Sequence, residues 1–283
     1  MKKQLVAVIL VLILASFSCS IQNIQLETID PQIVFVSEDL PANREESKLV
    51  FQMTGGEFLL RPGTEGFVAG TIKYNVEQWE PQFTRRDNFF EIKQVNPLRI
   101  SGLPGSDTEN IWDLELTQAV PLDLTIEGGA SKNEFDFTGL QLTNLKILQG
   151  ASETVIRFDS PNPQVLEDFT FTTGASSAKL YGLGHANFRS MSFSSGAGDY
   201  TLDFTGTLAQ DASVDIKATI SNITIVIPAG MNALVVNRGT VSNINARGTW
   251  LLKDDSYSTL EEGHALTINL DMAVGNVTLI HEE

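Results

Sequence analysis

The sequence predicts an all-β protein: a stacked, single-stranded β-helix, or β-solenoid, with an antiparallel β N-terminal portion. Apolar and polar residues alternate with a period of two along most of the chain, which is typical of strands. No stretch of comparable length shows the 3.6-residue period of an amphipathic helix. A motif of small residues also recurs about every 22 residues, which indicates a repeat architecture.

The first 18 residues have the organisation of a secretory signal. Lys2 and Lys3 precede an apolar run from Leu5 to Ala15, and small serines follow it. This run is too short to span a bilayer, because a spanning helix needs about 20 apolar residues. Residues 1–18 are therefore predicted as a signal peptide that is removed on export.

The single cysteine of the chain lies at the expected cleavage point. Cys19 follows the small Ser18, as in a bacterial lipobox, although Ser16 stands where that motif usually has leucine. Acyl chains on Cys19 would anchor the protein stably, because each buried methylene contributes about 0.8 kcal/mol. The alternative is that Cys19 is discarded with the signal and the mature protein is secreted. Under either reading the mature domain has no disulfide.

Residues 19–48 are predicted as a tether between the lipid anchor and the folded domain. They combine the short apolar patch Ile33–Val36 with a polar, turn-rich stretch over residues 37–47. A lipid-anchored domain needs a spacer of this kind. The apolar patch is also compatible with a first strand.

The mature chain is strongly acidic. Removal of residues 1–18 takes away two lysines and leaves 17 basic against 35 acidic side chains, a formal charge of −18. Such a protein repels phosphate backbones, so we expect no nucleic-acid partner. We interpret the charge as a solubility feature beside an anionic surface, and not as a specific cation site.

The two-residue period marks successive strands after residue 48. Five segments show it most clearly: Val68–Val76, Trp112–Leu116, Leu122–Ile126, Ile223–Ile227 and Leu266–Met272. We predict an antiparallel N-terminal region over residues 49–96 and a domain of stacked β repeats over residues 97–283, with coils from about Trp112.

The repeat itself is a Gly-Ala pair followed by a small residue. It occurs four times, at Gly129-Ala130-Ser131, Gly150-Ala151-Ser152, Gly174-Ala175-Ser176 and Gly196-Ala197-Gly198. Successive glycines are 21, 24 and 22 residues apart. With two short strand-like units per interval, this period favours a β-solenoid whose coils stack on one another and turn at glycine corners. A β-sandwich with similar turns is the alternative.

Several segments resemble a bacterial family. The stretch Gly55–Gly63, continuing through Gly66–Asn75 to Trp79-Glu80-Pro81, is similar to the N-terminal part of toastrack proteins. Ile223–Gly230 and the closing Val274–Leu279 resemble the C-terminal domain of LiaF-type, cell-wall-antibiotic response proteins. The resemblance implies a β-helical domain on the outer face of the membrane, associated with envelope stress. The LiaF type has a multispan membrane region that is lacking here, where a lipid anchor would replace it.

No residue pattern indicates a catalytic, cofactor or metal site. His185, His264 and His281 have no second ligand at metal spacing, and Gly182-Leu183-Gly184 lacks the third glycine and the following helix of a phosphate loop. We interpret that stretch as a coil corner. No Gly-x-Ser-x-Gly nucleophile motif occurs. We therefore predict that the protein is not an enzyme and takes no cofactor.

Acidic side chains offer one alternative to that prediction. Asp136, Asp203 and Asp215 are expected on outward positions of successive coils, where clustered acids would suit a polysaccharide-cleaving β-helix enzyme. We favour a solvated strand face. The pairs Asp254-Asp255 and Glu261-Glu262 are interpreted as polar turns.

An aromatic and arginine cluster lies in the N-terminal region. It comprises Trp79, Phe83, Phe89 and Phe90 around Arg85, Arg86 and Asp87. Aromatic and arginine side chains often anchor protein interfaces. Because Trp79 also belongs to the corner pattern of the toastrack family, we favour a packing role for it.

Together these features predict a non-enzymatic envelope lipoprotein on the outward face of the cell membrane, acting as a binding or sensor module. Its expected partners are the membrane, through lipid at Cys19, and an envelope component or the extracellular domain of a sensor protein, bound by strand addition at a sheet edge. The alternatives are a scaffold that self-assembles through exposed edges and, with less support, a carbohydrate-active enzyme. The sequence leaves the oligomeric state open.

Overall fold

The computed structural model of the protein describes residues 26–94, 105–240 and 243–282, so the predicted signal peptide and Cys19 lie outside the described residues. Within the described residues the chain forms strands and short 3-10 turns, and none of its helices could cross a membrane. The strands are β1 (Gln32–Glu38), β2 (Ser47–Pro62), β3 (Val68–Tyr74), β4 (Gln82–Arg86), β5 (Phe89–Lys93), β6 (Asn110–Leu116), β7 (Pro121–Asp136), β8 (Gln141–Arg157), β9 (Leu166–Tyr181), β10 (Phe188–Asp203), β11 (Ala212–Ile227), β12 (Asn232–Asn237), β13 (Asn243–Arg247), β14 (Leu251–Lys253), β15 (Ser256–Ser258) and β16 (Ala265–His281).

The described strands belong to one mixed sheet. Its long strands follow the order β2-β7-β8-β9-β10-β11-β16, and each neighbouring pair is parallel. Each long strand is one coil, and the coils stack side by side without closing the sheet. The predicted all-β, solenoid fold is therefore confirmed, and the sandwich alternative is wrong.

Each repeat motif lies at a bend within one long strand. In β7 the buried apolar side chains are Leu122, Leu124 and Ile126 before Gly129 and Phe135 after it, so the apolar positions change parity at the glycine. That glycine is also omitted from the parallel register. The equivalent Gly150 of β8 is omitted as well, so both strands bend at the same position. The two halves, here called the first arm and the second arm, therefore face one common interior.

Coils approach each other closely at this bend. A Cβ atom on Gly150, Gly174 or Gly196 would lie 2.8–2.9 Å from the carbonyl oxygen of the preceding corner glycine. The neighbouring backbone would have to shift to admit it, which explains why glycine recurs there. The two short strands expected in each coil are thus the two arms of one continuous strand.

Apolar side chains fill the interior between the arms in ladders that run from coil to coil. The aromatic members, each no more than 1% exposed, include Phe135, Phe137, Phe158, Phe169, Phe171 and Phe193. Phe171 stacks on Phe193 with ring centroids 5.5 Å apart. Burying such a side chain contributes about 1.5–3 kcal/mol. Packing of this kind stabilises the repeat.

The N-terminal region extends the same sheet. β2 pairs in parallel with β5, β6 and β7, whereas β1–β3, β3–β6 and β4–β5 are antiparallel. β6 comes from the region predicted as coils, yet it lies between β3 and β2. The sheet therefore crosses the boundary predicted at residue 96, and the region 49–96 is only partly antiparallel.

The segment predicted as a tether is folded over much of its length. Leu26 is 7% exposed, and the N–H of Ile29 donates a 2.8 Å hydrogen bond to the carbonyl oxygen of Asn75. Residues 32–38 form β1, because the apolar patch Ile33–Val36 pairs with β3. The tether prediction does not hold for these residues, and the alternative of a first strand does. Residues 19–25 lie outside the described structure.

Short strands cover the opposite end of the sheet. β12 continues the first arm of β16, and β13 continues its second arm. β12, β15 and β14 then form an antiparallel border. The two ends of the solenoid are therefore built from different elements.

Candidate binding surfaces

The outer face of the second arm carries a row of four charged side chains and one tyrosine across neighbouring strands. The row consists of Glu115, Arg61, Asp136, Arg157 and Tyr181, on β6, β2, β7, β8 and β9. These residues point outward because they alternate with buried residues of the same strands. A groove of about 220 Å³ opens along this row, and its lining includes Leu59, Arg61, Glu134, Asp136, Val155 and Arg157. We call it the arm groove.

Arg61 lines one side of the arm groove, and two carboxylates hold its side chain in place. It donates hydrogen bonds to Asp113 and, at 3.0 Å, to Glu115. The hydrogen bond to Asp113, together with the charges of both carboxylates, raises the pKa of Arg61. This guanidinium is already paired, so it shapes the groove more than it offers a free charge.

Arg157, on the other side of the groove, is differently placed. Its guanidinium carbon lies 5.1 Å from the ring centroid of Tyr181, a cation–π arrangement. No ion pair joins it to a carboxylate of the described residues. Its N–H donors are therefore available to a ligand, beside the half-buried Leu59 and Val155. Arginine and tyrosine next to apolar contacts are typical of interface hot spots.

The three aspartates predicted on outward positions do not come together. Asp136 and Asp203 end β7 and β10, which are three strand spacings, or about 14 Å, apart. Asp136 accepts a 2.9 Å hydrogen bond from the N–H of Thr138, and Asp203 makes the equivalent bond at 2.8 Å. Asp215 lies on the first arm, where Asn269 donates to it at 2.9 Å. The acidic-stripe alternative is therefore wrong, and these carboxylates are acceptors on a solvated face.

Two of the histidines make local hydrogen bonds. His185 lies half-buried in a 3-10 turn, with Nδ1 3.0 Å from the carbonyl oxygen of Phe158. A Cβ atom on Gly184, in the same turn, would lie 2.7 Å from a neighbouring backbone oxygen, which supports its interpretation as a coil corner. Nδ1 of the buried His281 lies 2.9 Å from the carbonyl oxygen of Thr249.

The third histidine sits beside an exposed carboxylate. His264 lies 3.5 Å from Asp211. The pKa of Asp211 is lowered, mainly by a hydrogen bond from the N–H of Ala265 and less by His264. Across the described ranges, no group of three or more His, Cys, Asp or Glu side chains is arranged to hold a metal ion.

The aromatic and arginine cluster divides into a buried and an exposed part. Trp79 is 4% exposed, so the packing role predicted for it is confirmed. Phe83 is 45% exposed and stacks on the buried Phe90. Arg85 lies 3.8 Å from Glu38 at the end of β1. The β4–β5 hairpin is therefore tied to β1.

A ladder of amide side chains runs along the outer face of the last coils. Asn222 donates to Asp199 at 2.8 Å, Asn276 to Asn222 at 2.8 Å, and Asn243 to Asn276 at 3.1 Å. These residues are direct register partners on β10, β11, β16 and β13. The ladder supports that register, because a one-residue slip would move every one of these side chains to the other face.

Reasoning from the sequence missed Arg157, Tyr181 and this ladder. Arg157 and Tyr181 each follow a corner glycine, Gly150 and Gly174, by seven residues. Alignment of the coils on their corner glycines would have placed the two side chains next to each other. The repeat was therefore a usable signal for the groove as well as for the fold.

Solved structures with a related architecture include a candidate cell adhesion protein from Clostridium sporogenes. It is 15% identical, with a TM-score of 0.51, over 90% of this chain and 100% of that one. A candidate adhesin from Bacteroides fragilis is 9% identical, with a TM-score of 0.34 and coverage of 91% and 99%. A candidate lipid binding protein from Parabacteroides distasonis is 8% identical, with a TM-score of 0.36 and coverage of 92% and 99%. The first likeness shows a shared fold, and the other two are too distant to support a conclusion.

Comparison at the level of sequence gives two further results. Among curated proteins, none matches this chain. Residues 21–167 match the family model described as the N-terminal domain of toast_rack.

Proposed function

Since the chain belongs to the toast_rack family, we propose that it is a non-catalytic binding module of the bacterial cell envelope. In this proposal residues 1–18 direct export, and lipid on Cys19 holds the domain at the outer face of the cell membrane. The arm groove then binds an envelope component or the extracellular domain of a sensor protein. The resemblance of Ile223–Gly230 and Val274–Leu279 to the C-terminal domain of the LiaF type is the ground on which we also propose a part in the envelope-stress response.

The observation that carries this proposal is Arg157, which lines the arm groove, together with Tyr181 beside it. The guanidinium carbon of Arg157 lies over the ring of Tyr181, 5.1 Å from its centroid. Both residues end long parallel strands, and Arg157 is paired with Asp136 on one side and with Tyr181 on the other. Binding there needs little ordering of the protein, so less binding free energy is lost to entropy.

The groove also indicates the chemistry of its partner. The guanidinium of Arg157 suits a carboxylate, which it can hold through two parallel hydrogen bonds. Leu59 and Val155 offer contact to an apolar group beside that carboxylate. Glu134 and Asp136 disfavour a second negative charge. A segment with one acidic group next to apolar side chains therefore fits better than a polyanion.

Photo-crosslinking in intact cells tests the groove. A crosslinking residue in place of Lys179, which pairs with Val155 beside the groove, should capture a partner under envelope stress. Arg157→Ala and Tyr181→Ala should each reduce capture strongly, because removal of a hot-spot side chain costs about 2 kcal/mol or more. Lys146→Ala, an exposed cation on the first arm, is the matched control. Equal capture by all four proteins would contradict the proposed site.

The lipid anchor has its own test. Mass spectrometry of the mature protein should find an acylated Cys19 at the N-terminus, and Cys19→Ser should move the protein to the soluble fraction. A free terminus at Ser20 or Ile21 would remove the anchor from the proposal. The protein would then be secreted, and the crosslinking experiment would still test whether its groove binds a partner.

A further inference from the structure

The strand β1 forms the free border of the second arm at the N-terminal end. It pairs with β3 on one side, and among the described residues no strand pairs with its other side. Phe35 is 79% exposed and Ile33 is 55% exposed, and Phe35 is the most exposed large apolar side chain in the described chain. An edge with these side chains is a template for another strand.

Protective features that usually prevent such pairing are missing from β1. Edge strands are commonly guarded by proline, lysine or bulges. The strand Gln32–Glu38 has no proline or lysine, and it pairs with β3 in a register without interruption. Its single charge, Glu38, lies at the end and is 3.8 Å from Arg85.

The border at the other end of the solenoid is built from shorter strands and is partly covered. The indole N–H of Trp250 donates a 2.9 Å hydrogen bond to the carbonyl oxygen of Arg247, at the end of β13. β14 is only three residues long and ends at Lys253. Pairing of β1 with the same strand of a second copy is an isologous contact, so it would give a closed pair of molecules and not a filament.

We propose that β1 is a dimerisation strand, which pairs antiparallel with β1 of a second copy about a two-fold axis through Phe35. In this register Phe35 lies opposite Phe35 of the second copy. Val34 lies opposite Val36, Ile33 opposite Ser37, and Gln32 opposite Glu38.

This register is self-complementary in charge and in shape. No like charges face each other, and the side-chain amide of Gln32 can donate to the carboxylate of Glu38 on the second copy. Ile33 and Phe35 meet on the outer face, where both are exposed in one copy. Val34 and Val36, which pack toward the core, continue the interior across the axis.

The dimer has a consequence for the arm groove, although it does not depend on the groove or its ligand. Nine strand spacings separate β7 of one copy from β7 of the other, so two grooves lie about 43 Å apart on one continuous face. Two linked grooves bind a repetitive partner with avidity. Anchoring both copies in one membrane favours the dimer against the repulsion of their acidic surfaces.

Cysteine crosslinking tests the register directly. In the full mature chain carrying Cys19→Ser, each variant has one cysteine or one designed pair. Phe35→Cys should form a disulfide-linked dimer under mild oxidation, because directly opposed Cα atoms lie about 4.5–5.5 Å apart, within reach of a disulfide. Ile33→Cys and Thr71→Cys should not, whereas Ile33→Cys combined with Ser37→Cys should. Equal crosslinking of Ile33→Cys and Phe35→Cys would overturn the register.

Sedimentation of the same chain tests the association itself. Phe35→Lys should weaken the dimer at least tenfold, while Ile220→Lys, at a residue of 59% exposure away from any edge, should leave it unchanged. A cooperative thermal unfolding transition in each variant shows that it folds. A monomer at about 1 mM, the effective concentration of a short tether, would overturn the proposal. Arg157→Ala should leave the dimer intact, so failure of the groove and failure of the dimer are separate results.

Discussion

Gly198→Ala is expected to destabilise the protein strongly by the addition of one methyl group. Gly198 has a φ of 152°, a conformation that other residues rarely adopt. A Cβ atom there would lie 1.7 Å from the carbonyl oxygen of Ser176 on the adjacent strand and 2.8 Å from the hydroxyl of Tyr200. Alanine therefore meets both an unfavourable backbone conformation and a backbone clash.

The size of the effect follows from those two terms. An unfavourable backbone conformation costs about 1–3 kcal/mol, and forcing extra volume into a packed interior costs about 1–3 kcal/mol. The terms overlap, because one backbone shift relieves both, so we expect Gly198→Ala to lower the free energy of unfolding by about 3 kcal/mol. For a domain of this size, that corresponds to a Tm about 6–12 °C lower.

Urea unfolding of the mature chain is the assay, with the midpoint expected to fall and the slope to stay constant. Gly230→Ala is the matched control, because Gly230 has a φ of 76° but a Cβ atom there meets nothing within 4 Å. Gly230→Ala therefore introduces only the unfavourable backbone conformation, and it should lower the free energy of unfolding by about 1–2 kcal/mol. If Gly198→Ala costs no more than Gly230→Ala, the close contact with Ser176 is not a real constraint.

Three further predictions use the same unfolding assays or hydrogen exchange. Phe171→Ala should cost about 3–5 kcal/mol because it leaves a cavity in the aromatic ladder, while Leu260→Ala, at 70% exposure, should change stability by less than about 0.5 kcal/mol. The pKa of Asp211 is lower in the folded protein, so the ionised carboxylate stabilises the fold above its ordinary pKa, and this effect is lost as the pH falls through the folded value. Asp211→Asn should therefore reduce the loss of stability in acid. Identical profiles of stability against pH for the two proteins would contradict this prediction. Asn222→Ala removes two ladder hydrogen bonds and should speed amide exchange in the last coils before it changes global unfolding, whereas uniform exchange would show that the ladder has no local role.

Several properties of this protein could be predicted from local sequence pattern. A two-residue period gives all-β structure wherever it occurs, because alternate side chains of a strand face opposite sides. The recurring glycines predicted stacked coils, since a tight repeat needs residues without a side chain at its corners. The buried position of Trp79 followed from the family resemblance and was confirmed.

Tertiary structure decided the features that depend on register between coils. The sequence pattern did not show that each coil is one bent strand, because the bend depends on close contact between the corner glycine and the backbone of the neighbouring coil. It placed Asp136 and Asp203 on one outward face but could not set the three strand spacings between them. It did not pair Arg157 with Tyr181, which lie 24 residues apart and meet only through parallel pairing.

The same distinction applies to the N-terminal strand. The apolar patch Ile33–Val36 was visible in the sequence, and local pattern allowed either a tether or a strand. Pairing with β3 decided in favour of the strand, and the absence of a described strand on its other side leaves Phe35 exposed. Side-chain periodicity is local, so the sequence by itself determined the fold class. The candidate surfaces arise from contacts between distant residues, so only the tertiary structure decided them.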